Sequence, residues 1–150
     1  MTMTAGEAPG AGYLDVLQAL TADGLDTLAS VTTSDVRFRD PFNDVRGQER
    51  MRRVFARMFD DVADLRFRVA HAACQRDQGL VLWTFSGRLR RLGNRPVQID
   101  GVAHLLFDAE GRVRQHIDYW DPSEVVYDQI PLLGPALRWV RRRLAVSEQP

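Results

Sequence analysis

The chain has 150 residues, and its 20 Lys plus Arg balance its 20 Asp plus Glu, so its formal net charge is zero. This balance disfavours general nucleic-acid binding, which needs an excess of positive charge. Its one cysteine cannot form an intrachain disulfide. No run of 18 apolar residues predicts a membrane span, and the N-terminus lacks the basic and apolar regions of a secretory signal. We expect a cytoplasmic protein with one main domain.

Hydrophobic spacing divides the chain into a tail, a region of helices and a region of strands. Residues 1–11 are small, rich in Gly and Pro and without a period, which predicts a loose tail. In chain order the patterns that follow predict helices at about 12–22 and 24–30, a strand at 36–40, a loop at 41–47, a helix at about 48–60, and strands at 65–73, 79–92, 96–107 and 113–120.

This order indicates the fold class. Helices that are segregated from a run of antiparallel strands are typical of an α+β fold. We expect residues 12–122 to form one domain, a cone-shaped barrel in which a strongly bent antiparallel sheet wraps over three helices and leaves one open mouth.

Residues 123–150 are predicted to form a helical extension that packs on the same domain. Pro122 begins a short helix with Asp121 as its cap, Pro131 and Gly134-Pro135 interrupt it, and 136–146 form a last helix. The Arg138–Arg143 region makes this helix basic and amphipathic, so it could lie on a membrane surface. The favoured interpretation is a helix over the cone mouth or on a neighbouring subunit, with solvated arginines.

The segment GRVRQHIDYWDP, residues 111–122, carries the clearest chemical signal. Strand alternation places His116, Asp118 and Trp120 on one face. An imidazole, a carboxylate and an indole in a row on one strand face are expected to line a cavity.

Two stretches resemble the nuclear-transport-factor-2-like superfamily, and within it the SnoaL-like proteins: VRFRDPF before the third helix and FDAEGRVRQHIDYWDP in the last hairpin. The resemblance covers about residues 12–122. The superfamily includes ketosteroid isomerase, limonene epoxide hydrolase, polyketide cyclases, dehydratases and non-catalytic association domains, so the resemblance implies a fold more narrowly than a reaction.

The resemblance also implies roles for single residues. Asp40 falls at the proton-shuttling aspartate of the isomerase, whereas the positions of its two oxyanion donors hold Ala103 and a residue near Val16 or Leu17, with Tyr13 one turn away. Asp118 falls at one of the two catalytic aspartates of the epoxide hydrolase. The middle of the long strand, residues 83–87, lacks the second aspartate and the arginine. SnoaL-like cyclases need one late-strand acid/base aspartate, for which Asp118 is the candidate.

The predicted catalytic residues are Asp118 as the principal acid/base, Asp40 as a second carboxyl, and His116 to orient water or donate to oxygen. The alternative is structural: Asp40 caps the turn before Pro41, and Asp118 pairs with an arginine. The side chains expected to shape an apolar pocket, or else to pack as ordinary core, are Trp120, Trp83, Phe85, Phe55, Phe59 and Ala103.

We predict no metal site, because the three histidines lie on three strands without a ligand-spacing motif. We also predict no cofactor, since the sequence has no glycine-rich nucleotide-binding motif. Two functions stay open: a cofactor-independent acid/base enzyme of cyclase, isomerase, dehydratase or epoxide hydrolase type acting on a small apolar molecule, and a non-catalytic binding or association domain. A homodimer is expected from an apolar outer sheet face supplied by Val102, Leu106, Ile117 and Tyr119.

Overall fold

A computed structural model describes residues 9–146, without the side chain of Glu124. The chain divides into two compact units, Met1–Trp120 and Asp121–Pro150. Most of the predicted N-terminal tail, residues 1–8, lies outside the described residues, and helix α1 begins at Ala11.

The first unit contains the predicted helices and strands in the predicted order, with one strand in addition. Its elements are α1 (Ala11–Ala19), α2 (Leu28–Val31), β1 (Thr32–Arg39), β2 (Asp44–Arg46), α3 (Gln48–Asp61), β3 (Val62–Gln75), β4 (Gln78–Leu89), β5 (Arg95–Phe107) and β6 (Val113–Tyr119). The predicted second helix is a 3₁₀ turn at Ala22–Thr27 followed by the single turn α2. Strand β2, three residues long, lies in the segment that was predicted as a loop.

The six strands form one open sheet in the order β2-β1-β6-β5-β4-β3. Strands β3 to β6 are antiparallel neighbours, as predicted, and the α+β fold class is confirmed. The sheet is mixed rather than wholly antiparallel, because β1 runs parallel to β6. Strand β6 therefore lies inside the sheet, between β1 and β5.

A bulge near the start of β6 sets which of its side chains face the helices. Val113 pairs with Phe107 and Gln115 pairs with Leu106, so β6 has one residue more than β5 at this point. Both Val113 and His116 are therefore buried. The strict alternation predicted from Val113 onward is wrong at its first step, although it holds from His116 to Asp118.

The helices cover the inner face of this sheet through short apolar stripes. In α1, Tyr13 and Leu17 are buried at a spacing of four residues, and in α3 Met51 and Phe55 are buried at the same spacing. Helix α1 contacts β3, while α3 contacts β1 and β3. This packing brings the N-terminal turn of α1 toward the middle of the sheet.

The second unit contains α4 (Pro122–Val125), a 3₁₀ turn (Tyr127–Gln129) and α5 (Leu133–Leu144). The predicted cap is confirmed, because the Ser123 backbone N–H donates to Asp121 Oδ1 over 2.8 Å. Hydrogen bonding with the Ser123 side chain, and then with its backbone N–H, lowers the pKa of Asp121. The last helix begins three residues before its predicted start. Its packing on the first domain stays a prediction. Among residues 9–146, no helix has the length and apolar character to cross a membrane.

Candidate functional site

Four side chains form a continuous hydrogen-bonded chain on the inner face of the sheet. The Tyr13 hydroxyl lies 2.6 Å from His116 Nδ1, and His116 Nε2 lies 2.8 Å from Asp118 Oδ1. The Trp83 indole N–H donates to the same Asp118 oxygen over 3.0 Å. Helix α1, strand β4 and strand β6 thus meet through polar groups at one point.

The chain is almost wholly buried. Tyr13, His116 and Trp83 are at most 5% exposed, and the Asp118 side chain is 14% exposed. Burying a polar group without a partner costs free energy, and every polar group in this chain has one. Asp118 is consequently the member of the chain with the most access to solvent or to a ligand.

The donors and acceptors of the chain follow from its chemistry. An indole N–H can only donate, so Asp118 Oδ1 accepts from Trp83. The same carboxylate oxygen accepts from His116 Nε2–H, which leaves Nδ1 of a neutral ring as an acceptor. Burial, and then the nearby charge of Asp118, raise the pKa of Tyr13 well above its usual value of 10.0, so the phenol keeps its proton and donates it to Nδ1.

This arrangement distinguishes the two oxygens of Asp118. Within the described part of the chain, both hydrogen bonds to the carboxylate fall on Oδ1. Oδ2 therefore retains lone pairs for a substrate proton or a water molecule. Trp83 and His116 hold the carboxylate, whereas the structural alternative drawn from the sequence expected an arginine to pair with it.

Trp83 reaches Asp118 across an intervening strand, and a glycine makes the crossing possible. On β5, Gly101 pairs with Trp83 and Ala103 pairs with Asp118. A Cβ atom built on Gly101 would lie 2.3 Å from Trp83 Cζ2, so the indole occupies the space above this glycine. Any larger residue at position 101 would have to displace the ring.

Asp40 has a different environment from Asp118. Its Oδ1 accepts hydrogen bonds from the backbone N–H groups of Phe42 and Asn43, each over 2.7 Å, and both oxygens lie 3.0 Å from Asn43 Nδ2. These contacts belong to a turn-capping carboxylate, as the structural alternative expects. The hydrogen bonds of Asp40 are thus made within its own turn, and its role as a second catalytic carboxyl stays a prediction.

Aromatic rings surround the chain of four. Phe38 packs on His116 with ring centroids 5.0 Å apart and on Phe55 at 5.3 Å, and Phe67 packs on Trp83 at 5.7 Å. Of the other predicted pocket residues, Phe85 and Ala103 are buried and Phe59 is half-buried, while Trp120 is half-buried with its ring 5.5 Å from Phe42. These contacts hold the His116 ring in place, while their role toward a substrate stays a prediction.

Sequence reasoning missed Tyr13 as a member of the site. The residue was placed one turn away from the position of a known oxyanion donor, whereas its hydroxyl reaches His116 directly. Two signals pointed to it: Tyr13 begins the buried stripe of α1, and its hydroxyl needs a buried partner. Within residues 9–146, no group of three or more His, Cys, Asp or Glu side chains is arranged to hold a metal ion.

Comparison with known proteins places this chain in a family. A family model of the SnoaL-like domain matches residues 13–116. The chain belongs to the SnoaL-like family. The matched range contains Tyr13, Trp83 and His116 and ends two residues before Asp118. A search of curated proteins found no match.

Solved structures share the fold of this SnoaL-like protein. A proposed SnoaL-like polyketide cyclase from Shewanella putrefaciens CN-32 aligns with a TM-score of 0.67 and 20% identity, covering 85% of this chain and 97% of that chain. A hypothetical protein with a ketosteroid isomerase-like fold from Catenulispora acidiphila DSM 44928, in complex with trimethylamine, aligns at 0.66 and 16%, covering 84% and 92%. AclR, a proposed hydroxylase from Streptomyces galilaeus, aligns at 0.63 and 18%, covering 79% and 92%. At these identities the likeness shows the fold alone.

We expect Gly101→Ala to separate Trp83 from Asp118, because the added methyl group would overlap the indole. Overpacking of this kind typically costs about 1–3 kcal/mol of stability. The indole N–H resonance of Trp83, assigned with Trp83→Phe, should move to the position of an unbonded indole. Gly12→Ala is the matched control, since a methyl group there meets nothing within 4 Å. An unchanged Trp83 resonance in Gly101→Ala would contradict the crossing described above.

The raised pKa of Tyr13 predicts a loss of stability at high pH. Above its usual pKa of 10.0 the unfolded chain releases the Tyr13 proton while the folded chain retains it, so the free energy of unfolding falls as pH rises. Relative to Tyr13→Phe, the wild type should lose up to about 1.4 kcal/mol per pH unit above roughly pH 10, measured by urea unfolding. Tyr119→Phe keeps Tyr13 and should keep this slope. Parallel curves for the wild type and Tyr13→Phe would contradict the assignment.

Proposed function

We propose that this SnoaL-like protein is a cofactor-independent enzyme that transfers protons on a small apolar substrate, with Asp118 as the acid/base group. The observation that carries the proposal is the unequal use of the Asp118 oxygens: Trp83 and His116 occupy Oδ1, and Oδ2 is left for the substrate. A carboxylate that is fixed in orientation and only partly exposed is suited to general base catalysis.

In the proposed mechanism, Oδ2 removes a proton from a carbon beside a carbonyl group. The electron pair of the broken C–H bond moves into the carbonyl to give an enolate, and the protonated Asp118 then returns the proton at a second position. His116 and Trp83 hold Oδ1 in both protonation states of the carboxyl. They act as positioning residues, and Tyr13 acts on the site through His116.

The neighbourhood of Asp118 narrows the class of substrate. The position that carries a protonated aspartic acid in the isomerase holds Ala103, which is buried and has no donor. The hydroxyl of Tyr13 is already bonded to His116. With these two groups unable to bind a localised oxyanion, the site favours substrates whose enolate is delocalised within the substrate itself, as in aromatic or polyketide-like ketones. Cyclisation and isomerisation of such compounds are the reactions that fit best.

Asp118→Asn tests this function directly. The probe is 2-tetralone, a compact apolar ketone whose enolate is delocalised into its aromatic ring, and the measurement is exchange of its C1 protons in D₂O by NMR. We expect Asp118→Asn to slow the exchange by about 10²–10⁴-fold, with unchanged binding by saturation-transfer NMR. Asp100→Asn is the matched control, because the Asp100 carboxylate accepts from Thr84 at an exposed position away from this site. Exchange that is equally fast in Asp118→Asn would contradict the proposal.

The alternative function is a non-catalytic ligand-binding or association domain of the same fold. The absence of a donor at Ala103 favours this alternative. It expects the wild type to bind 2-tetralone without accelerating proton exchange beyond the rate in solvent.

We also propose that a second copy of the chain covers the outer face of the sheet. Leu80, Leu82 and Tyr119 are about half exposed there, and the register joins them through Val102, which pairs with both Leu82 and Tyr119. Of the residues expected on this face, Ile117 differs, since it is only 7% exposed. The remaining side chains form an apolar patch that extends over three adjacent strands.

Light scattering after size exclusion tests the proposed dimer. The wild type should have a mass near 34 kDa, twice the 17.0 kDa of one chain. Leu82→Arg should give a mass near 17.0 kDa, because each copy would bury an unpaired arginine in the interface. Arg53→Leu, a change of charge at an exposed position of α3, should leave the mass unchanged. A monomeric wild type would contradict the proposal.

A further inference from the structure

The C-terminal unit has an unusual concentration of exposed apolar side chains. Of the eleven large apolar side chains that are exposed among the described residues, seven lie within residues 130–146: Ile130, Leu132, Leu133, Trp139, Val140, Leu144 and Val146. Leu132 is 88% exposed and has a backbone φ of 70°, a conformation that is unfavourable for a leucine. This segment therefore presents apolar groups outward rather than burying them.

Helix α5 arranges part of this surface as a stripe. Leu133, Leu137, Val140 and Leu144 follow one another at spacings of four, three and four residues, which places them on one face of the helix. The same helical periodicity places Arg138 and Arg142 on the opposite side of the helix. The helix is amphipathic, and its apolar face includes side chains that are 41% to 81% exposed.

All the charged residues between positions 129 and 147 are positive. Four arginines lie between positions 138 and 143, and the sequence has no acidic residue from 129 to 147. Arg141 pairs with Asp128 over 3.1 Å, and Arg138 lies 3.9 Å from the same carboxylate. Within residues 9–146, the ion pairs of α5 are confined to these two arginines, so Arg142 and Arg143 present their charge outward.

Trp139 adds an exposed aromatic ring beside the arginines. Its ring is 54% exposed, and the guanidinium of Arg143 lies 5.0 Å from the ring centroid. Tryptophan and arginine are both suited to the boundary between lipid headgroups and acyl chains, because each combines an apolar body with a polar end.

We propose that residues 130–146 bind the surface of an anionic lipid bilayer. The apolar stripe would enter the headgroup boundary, while Arg138, Arg142 and Arg143, with Trp139 beside them, would contact the lipid headgroups. The twelve residues of α5 are about 18 Å long, too short to span the hydrocarbon core, so the helix lies in the plane of the surface. This inference does not depend on the reaction proposed for Asp118.

Vesicle co-sedimentation of the full chain tests the inference. The protein should sediment with phosphatidylcholine vesicles that contain about one third phosphatidylglycerol and remain soluble with phosphatidylcholine alone. Raising the salt concentration to about 0.5 M should weaken the binding. Arg138→Gln, Arg142→Gln and Arg143→Gln, combined, should weaken it on the order of 100-fold.

A matched triple variant distinguishes binding through residues 130–146 from attraction of the vesicles by any exposed arginines. Arg50→Gln, Arg53→Gln and Arg66→Gln remove the same charge from exposed positions of α3 and β3 and should leave vesicle binding unchanged. Leu144→Gln should weaken binding without any change in charge. The fluorescence of the wild type should shift to shorter wavelength on vesicles, and this shift should disappear in Trp139→Phe while binding persists.

Three results would overturn the inference. The first is failure of the wild type to sediment with the anionic vesicles at low salt. The second is an equal loss of binding in the matched α3 and β3 variant, which would mean attraction without a defined surface. The third is a fall in the light-scattering mass of Leu144→Gln, which would show that a second copy of the chain covers the stripe.

Discussion

The Asp118 carboxylate is held in place because buried polar side chains must be hydrogen-bonded to one another. A carboxylate, an imidazole, a phenol and an indole are buried together, and each would be costly if any partner were missing. The chain from Tyr13 through His116 to Asp118 and Trp83 satisfies all four. It also joins the first helix to two strands of the sheet, so the same contacts that stabilise the fold orient the carboxylate.

The geometry of β6 makes this pairing possible. The strand lies between β1 and β5, and its bulge sets the phase that turns His116 and Asp118 toward the helices. The crossing of Trp83 over Gly101 then gives a second donor to the same oxygen. SnoaL-like proteins share a fold that serves different reactions, and in this chain the distinguishing features are the side chains around one carboxylate rather than the architecture.

Much of the fold could be predicted from the sequence, because local patterns determine it. The stripe of α3, the long alternating strands and the cap at Asp121 each report on neighbouring residues in the chain. The parallel pairing of β1 with β6 and the bulge in β6 depend on contacts between distant segments, and local periodicity does not report on them. The site divides in the same way: His116 and Asp118 are two residues apart and were recognised together, whereas Tyr13 lies 103 residues from His116. The turn at Asp40 shows the converse, since alternation placed this carboxylate on an apolar strand face, whereas it lies one residue beyond β1 and is held by its own loop.

The protonation state of His116 in the folded protein tests the central claim most directly. Long-range proton–nitrogen NMR spectra of the imidazole in neutral buffer distinguish the two ring nitrogens. A proton on Nε2 and a bare Nδ1 that accepts from the Tyr13 hydroxyl are expected, and the Nδ1 resonance should move in Tyr13→Phe. A ring protonated at Nδ1 would contradict the direction of the hydrogen bonds, and with it the account of how Asp118 is held.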